Sequence, residues 1–117
     1  MIQFLACLKY GTIDLIKEMV TKGEKINLQD VYGRTCLHHV CRRGEMDIFK
    51  FLCENKADLK LKNGCGETPL HYATWYGHEK IVKHLCENKV DVNSTTDDGS
   101  TPLHYGYKFN IKNLFIY

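Results

Sequence analysis

Gly33, Gly66 and Gly99 stand 33 residues apart, and each opens a copy of one sequence that recurs behind it. Thr35, Thr68 and Thr101 keep the same step, as do Leu37, Leu70 and Leu103, then His38, His71 and His104. A fixed period of this length is the signature of a repeat array, in which each unit buries its apolar side only against its neighbours. The register extends both ways: Gly11 pairs with Gly44 and Gly77, Met19 with Leu52 and Leu85, and Leu15 with Ile48, Ile81 and Leu114. It divides a single domain, 1–117, into units at 1–29, 30–62, 63–95 and 96–117. The first lacks its opening turn and the last stops before its second helix is complete.

The third unit shows the local physics most clearly. Asn63-Gly64-Cys65-Gly66 is turn chemistry, an Asn able to bond its own backbone followed by a Gly able to take positive φ, and it implies a tight hairpin tip. Thr68-Pro69-Leu70-His71 then reads as a helix start. The Thr hydroxyl caps an orphan amide, and Pro occupies the first helical position, where a missing N–H costs nothing. That helix is expected to end near Gly77. From Glu79 to Glu87, Ile81, Val82, Leu85 and Cys86 fall on one helical face and Lys80, Lys83, His84 and Glu87 on the other, which predicts a second, amphipathic helix. Helices this short do not hold together alone, so the units must lean on one another.

Gly-Glu-Thr-Pro-Leu-His-Tyr-Ala (66–73), Gly-His-Glu-Lys-Ile-Val-Lys-His-Leu (77–85) and Val-Asp-Val-Asn (90–93) together resemble the ankyrin repeat. The resemblance covers the chain, is strongest in the second and third units, and persists in the fourth as Gly-Ser-Thr-Pro-Leu-His (99–104). It implies an all-α repeat solenoid: helix-turn-helix units joined by β-hairpin turns, with fingertips and first helices forming a concave binding surface. It also implies that His38, His71 and His104 bond the Thr three residues earlier and the backbone of an adjacent unit. Departures from the pattern are Cys36 in place of Pro, Gly106 and Asn110 in place of Ala and Gly, and Lys56 and Lys89 where a helix-ending Gly is usual.

Composition narrows the function. Sixteen Lys and Arg against fourteen Asp and Glu give a net charge of +2, with no bulk bias toward nucleic acid. The apolar run from Met1 to Leu8 has no basic leader and ends at Lys9, so neither a secretory signal nor a membrane span is expected. The six cysteines include the repeat-equivalent Cys53 and Cys86, behave as small core hydrophobes, and are expected to be reduced thiols in an intracellular protein, cytoplasmic or nuclear. Cys36, His38, His39 and Cys41 invite a zinc hypothesis. Against it, Cys36 and Cys41 point in different directions on a helix, no Cys-x-x-Cys pair exists, and His71 and His104 lack such Cys neighbours. No metal and no cofactor are expected. Thrice-repeated His is architecture rather than a general base, and no Ser-His-Asp arrangement, phosphate-cradling Gly loop or paired carboxylate at a strand end is legible, so no catalytic residue is assigned.

Within a repeat scaffold the recurring residues hold the fold, and the varied ones are free to contact a partner. Those assigned to partner binding are Lys9, Tyr10, Tyr32, Arg34, Arg42, Arg43, Glu67, Trp75, Tyr76, Asp97, Asp98 and Lys108. Trp, Tyr and Arg dominate interface energetics. Lys9, Arg34, Arg42, Arg43 and Lys62 lie toward the N-terminal half of this surface and Glu67, Asp97 and Asp98 toward the other, which predicts a polarised groove. The sequence therefore points to a non-enzymatic, monomeric module that holds a partner protein on its concave face. Two alternatives stand beside it: binding of nucleic acid or another anion through the basic half with Tyr32 and Trp75 as stacking platforms, and a spacer segment of a longer array.

Overall fold

The structure, a computed structural model, describes residues 13–22 and 25–106. Within them lie α1 (Ile13–Thr21), α2 (Cys36–Arg43), α3 (Met46–Glu54), α4 (Pro69–Trp75), α5 (Glu79–Glu87) and α6 (Pro102–Gly106). The short helices α2, α4 and α6 pack on one another in one layer, and α1, α3 and α5 in a second. Among the described residues the second and third units each contribute one helix to each layer, α2 with α3 and α4 with α5, joined by short turns.

The Thr and His of each unit build the start of the inner helix. Thr35 accepts a hydrogen bond from the His38 amide, and the Thr35 amide donates to His38 Nδ1 at 3.0 Å, a capping box with imidazole in place of the usual carboxylate. Because Nδ1 accepts, the proton is on Nε2, which donates across to the Glu67 carbonyl at 2.8 Å in the next unit. Thr68 and His71 repeat the arrangement, with His71 Nε2 reaching the Ser100 carbonyl at 3.0 Å. His104 repeats the local half, accepting from the Thr101 amide at 2.9 Å on an exposed surface.

Successive fingertips are stitched together by the backbone. Asn63 donates to the Glu67 carbonyl at 2.9 Å to close its own tip, while Gly64 donates to the Tyr32 carbonyl and Asp97 to the Cys65 carbonyl, at 2.8 and 3.0 Å, to join neighbouring tips. Asn63 Oδ1 accepts from both the Cys65 and Glu67 amides, the Asx geometry expected of this turn. These tips are hairpin-like, but among the described residues none is long enough to count as a strand. Other ties are side chains: Gln29 Nε2 bridges the Gly33 and Lys62 carbonyls, and Asn27 Oδ1 accepts from the Asp58 amide.

The core lies between the two helical layers. Leu37 and Leu70 from the inner layer and Ile48, Leu52, Ile81 and Leu85 from the outer are each 0–1% exposed, with Phe49 and Ile16 completing the stack. A fully buried side chain of this size contributes about 1.5–3 kcal/mol, so each unit's stability resides in contacts shared with the next. Lys50 and Lys83 face solvent on the outer helices, as the amphipathic pattern requires. Cys36 and Cys41 are buried and Cys53 and Cys86 half-buried; all are free thiols, as is the exposed Cys65. Burial pushes the Cys36 thiol up to about 12, which keeps it protonated and inert.

Candidate functional site

The inner helices and fingertips carry two adjoining depressions. One, of about 190 Å³, is lined by Glu67, Tyr72, Trp75, Tyr76 and Tyr105. The other, shallower and of about 790 Å³, runs between the second and third fingertips from Gln29–Arg34 to Asn63, Gly64 and Cys65. Glu67 and Tyr72 border both, so the surface is continuous.

The smaller cleft is built on the helix α4. Tyr72, Trp75 and Tyr76 lie three and four residues apart, the spacing that puts side chains on one helical face. Tyr105, at the equivalent position of α6, closes the wall: its ring meets Trp75 edge-on at 5.4 Å and His71 at 4.9 Å. Tyr72 packs edge-on against His38 at 5.0 Å and Tyr76 at 6.4 Å. Glu67 sits among them, with Tyr105 Oη donating to Oε2 at 2.7 Å and Asn63 Nδ2 to Oε1 at 2.8 Å. Asn63 Nδ2 also donates to Tyr72 Oη at 3.1 Å. Burial, reinforced by the Glu67 carboxylate, pushes the Tyr105 phenol well above its ordinary value, so it remains a donor.

Around the larger depression, Tyr32 is 67% exposed, with the Arg34 guanidinium 4.9 Å over its ring. Arg34 Nε also pairs with Asp30 Oδ2 at 3.0 Å. Burial opposes ionisation of Asp30, but the Arg34 and Tyr32 amides and the Arg34 guanidinium outweigh it, and the carboxyl titrates below its usual value. His39, the counterpart of Tyr72 one unit earlier, is buried; its Nε2 faces Asp30 Oδ2 at 3.3 Å and its Nδ1 has no partner. Burial, followed by the Arg34 charge, lowers its pKa.

The structure thus brings Glu67, Trp75 and Tyr76 into one cleft and Tyr32 and Arg34 into the groove beside it. Asp97 and Asp98 are exposed on the last fingertip, and hydrogen bonds from the Thr96 side chain and from Ser100 hold Asp98 below the usual carboxylate range. Arg43 pairs with Glu45, and the half-buried Arg42 has its carbonyl bound by His78 Nε2 at 2.9 Å. Lys62 Nζ is tied to the Thr95 carbonyl at 3.1 Å. The expected basic half of the groove is therefore partly neutralised by Asp30 and Glu45. Lys9, Tyr10 and Lys108 lie outside the described residues. Tyr72 and Tyr105 are not among the residues that variation between units selects, because they recur and recurrence reads as structural; the aromatic at both positions is the signal that points to them.

Among the described residues no group of three or more His, Cys, Asp or Glu is placed to hold a metal ion, and no helix is long and apolar enough to cross a membrane. A family model described as ankyrin repeats, in three copies, matches residues 4–96. The chain belongs to the ankyrin-repeat family. Ankyrin repeats are generally protein–protein interaction modules and typically non-enzymatic. No curated protein matches the chain. The match ends before α6, yet Thr101-Pro102-Leu103-His104 starts that helix with the same ankyrin capping chemistry as the units before it.

Proposed function

We propose that this ankyrin domain, read as four units, is a non-catalytic intracellular module that holds one partner protein on the face formed by its fingertips and inner helices. The observation that carries the reading is the continuous depression in which Tyr32, Glu67, Tyr72, Trp75, Tyr76 and Tyr105 surround one concave surface. Trp75 and Tyr76 are 39% and 44% exposed there, large side chains of the type that anchors interfaces. In this reading the contact surface extends to Arg42, Arg43, Asp97 and Asp98. With Arg34 and Arg43 already facing Asp30 and Glu45, the surface is better suited to a protein than to a phosphate backbone.

The test is affinity capture from lysate followed by binding measurements on the recovered partner. Trp75→Ala and Tyr76→Ala should lose capture that Lys50→Ala and Lys83→Ala, on the outer helices, retain. Equal capture by all four variants would reject the concave face. Affinity falling log-linearly and steeply with salt would favour nucleic acid instead.

A further inference from the structure

We infer that the cleft bounded by Glu67, Tyr72, Trp75, Tyr76 and Tyr105 is a recognition site for a methylated lysine side chain of the partner protein. This rests on the partner-binding reading above and goes further, because it specifies what the partner must present. The lining joins four aromatic rings to one carboxylate. Ring faces attract cations through their quadrupole, most strongly where water is excluded, and a carboxylate between the rings fixes the sign of the preferred guest.

The hydrogen bonding selects among cations. Both Glu67 oxygens already accept, from Tyr105 Oη and Asn63 Nδ2, and Tyr72 Oη accepts from the same Asn63 amide. The carboxylate is thus fixed by its own neighbours, which take one acceptor site on each oxygen, so it supplies its field and only part of its acceptor capacity. An unmodified ammonium or guanidinium entering the cleft exchanges several water hydrogen bonds for few protein ones, which is costly. A trimethylammonium head carries its charge on methyl groups and makes no such demand. The volume, about 190 Å³, is roughly six waters' share of the liquid, enough for that compact head with its stem leading out to solvent.

Trp75 is the chain's only tryptophan, so its emission reports on this cleft without a label. The intact chain is titrated with tetramethylammonium chloride, with ammonium chloride and sodium chloride at equal ionic strength alongside. It is then titrated with a short peptide bearing trimethyllysine and with the same peptide bearing lysine. A saturable change is expected for tetramethylammonium, at least about tenfold tighter than for ammonium, with the trimethyllysine peptide favoured over its lysine form by a similar factor. Glu67→Gln keeps the size and an acceptor for Tyr105 but removes the charge, and should weaken the trimethyllysine peptide about tenfold. Its fold is checked by an unchanged urea midpoint; Tyr76→Ala, on the exposed rim, is the second variant and should weaken the same peptide.

Absence of a saturable response to tetramethylammonium, equal binding of the two peptides, or undiminished binding by both variants would overturn the assignment. The titration uses no native partner, so its failure leaves the concave-face reading to the capture experiment. Failure of capture likewise leaves the titration result intact.

Discussion

The ends of the outer helices offer the sharpest stability prediction. Helix α3 closes with the Lys56 amide on the Cys53 carbonyl at 3.2 Å and the Ala57 amide on the Leu52 carbonyl at 3.0 Å, the paired bonds of a Schellman ending. That geometry requires a left-handed residue, and Lys56 supplies it with φ 67°; Lys89 does the same after α5 with φ 60°. Inner helix α4 meets the same need with Gly77. Asn55 and Asn88, the other candidates for the reversal, have φ of −100° and −90° and so do not supply it. A residue with a Cβ loses about 1–2 kcal/mol in the left-handed region. Glycine relieves this but adds unfolded-chain entropy worth roughly 0.4–1 kcal/mol. Lys56→Gly and Lys89→Gly should therefore each raise stability by about 0.5–1 kcal/mol, a few degrees in Tm. Urea and thermal melts of both single variants and the double variant measure this directly. Neutral or destabilising outcomes would refute the reasoning. Asn55→Ala and Asn88→Ala should still cost about 0.5–1 kcal/mol, through the side-chain bonds to the Phe51 and His84 carbonyls.

Leu70→Ala should destabilise by roughly 2–5 kcal/mol, since the side chain is fully buried between layers; an unchanged urea midpoint would show that the packing is misassigned. Acid should weaken the fold: burial lowers His38 from 6.5 to about 4, so the unfolded chain binds the extra proton first and stability present above pH 6.5 is lost as pH falls toward 4. His71 shifts in the same direction, again chiefly through burial, and stability-versus-pH curves should be shallower in His38→Ala than in the wild type. Trp75→Ala should cost at least about 2 kcal/mol of partner affinity. Arg43→Ala is expected to lose as much, measured by calorimetry against Lys83→Ala.

Much of the fold was legible because local chemistry and period agree. Thr68-Pro69-Leu70-His71 encodes a cap, a first turn and a core contact in four consecutive positions, and α5 runs over Glu79–Glu87 as its apolar spacing requires. The candidate site was legible only in part, because variation among units and position on the surface are different properties. Trp75, Tyr76 and Glu67 vary between units and line the cleft, whereas Tyr72 and Tyr105 repeat, which reads as structural, although they complete the same wall. Charge was the least legible: Arg34 and Arg43 differ from their counterparts in the next unit, Glu67 and Tyr76, and their partners Asp30 and Glu45, though near in sequence, lie across turns where helical spacing does not predict a pair. His78 is a further case, since nothing in its spacing discloses that its ring crosses to the Arg42 carbonyl.

Hydrogen–deuterium exchange on the complex with the recovered partner tests the central claim most directly. Partner binding should slow exchange across the fingertips at 30–34, 63–67 and 96–99 and along α2 and α4, leaving α3 and α5 unchanged. Protection concentrated on α3 and α5 would place the partner on the opposite face and contradict the account.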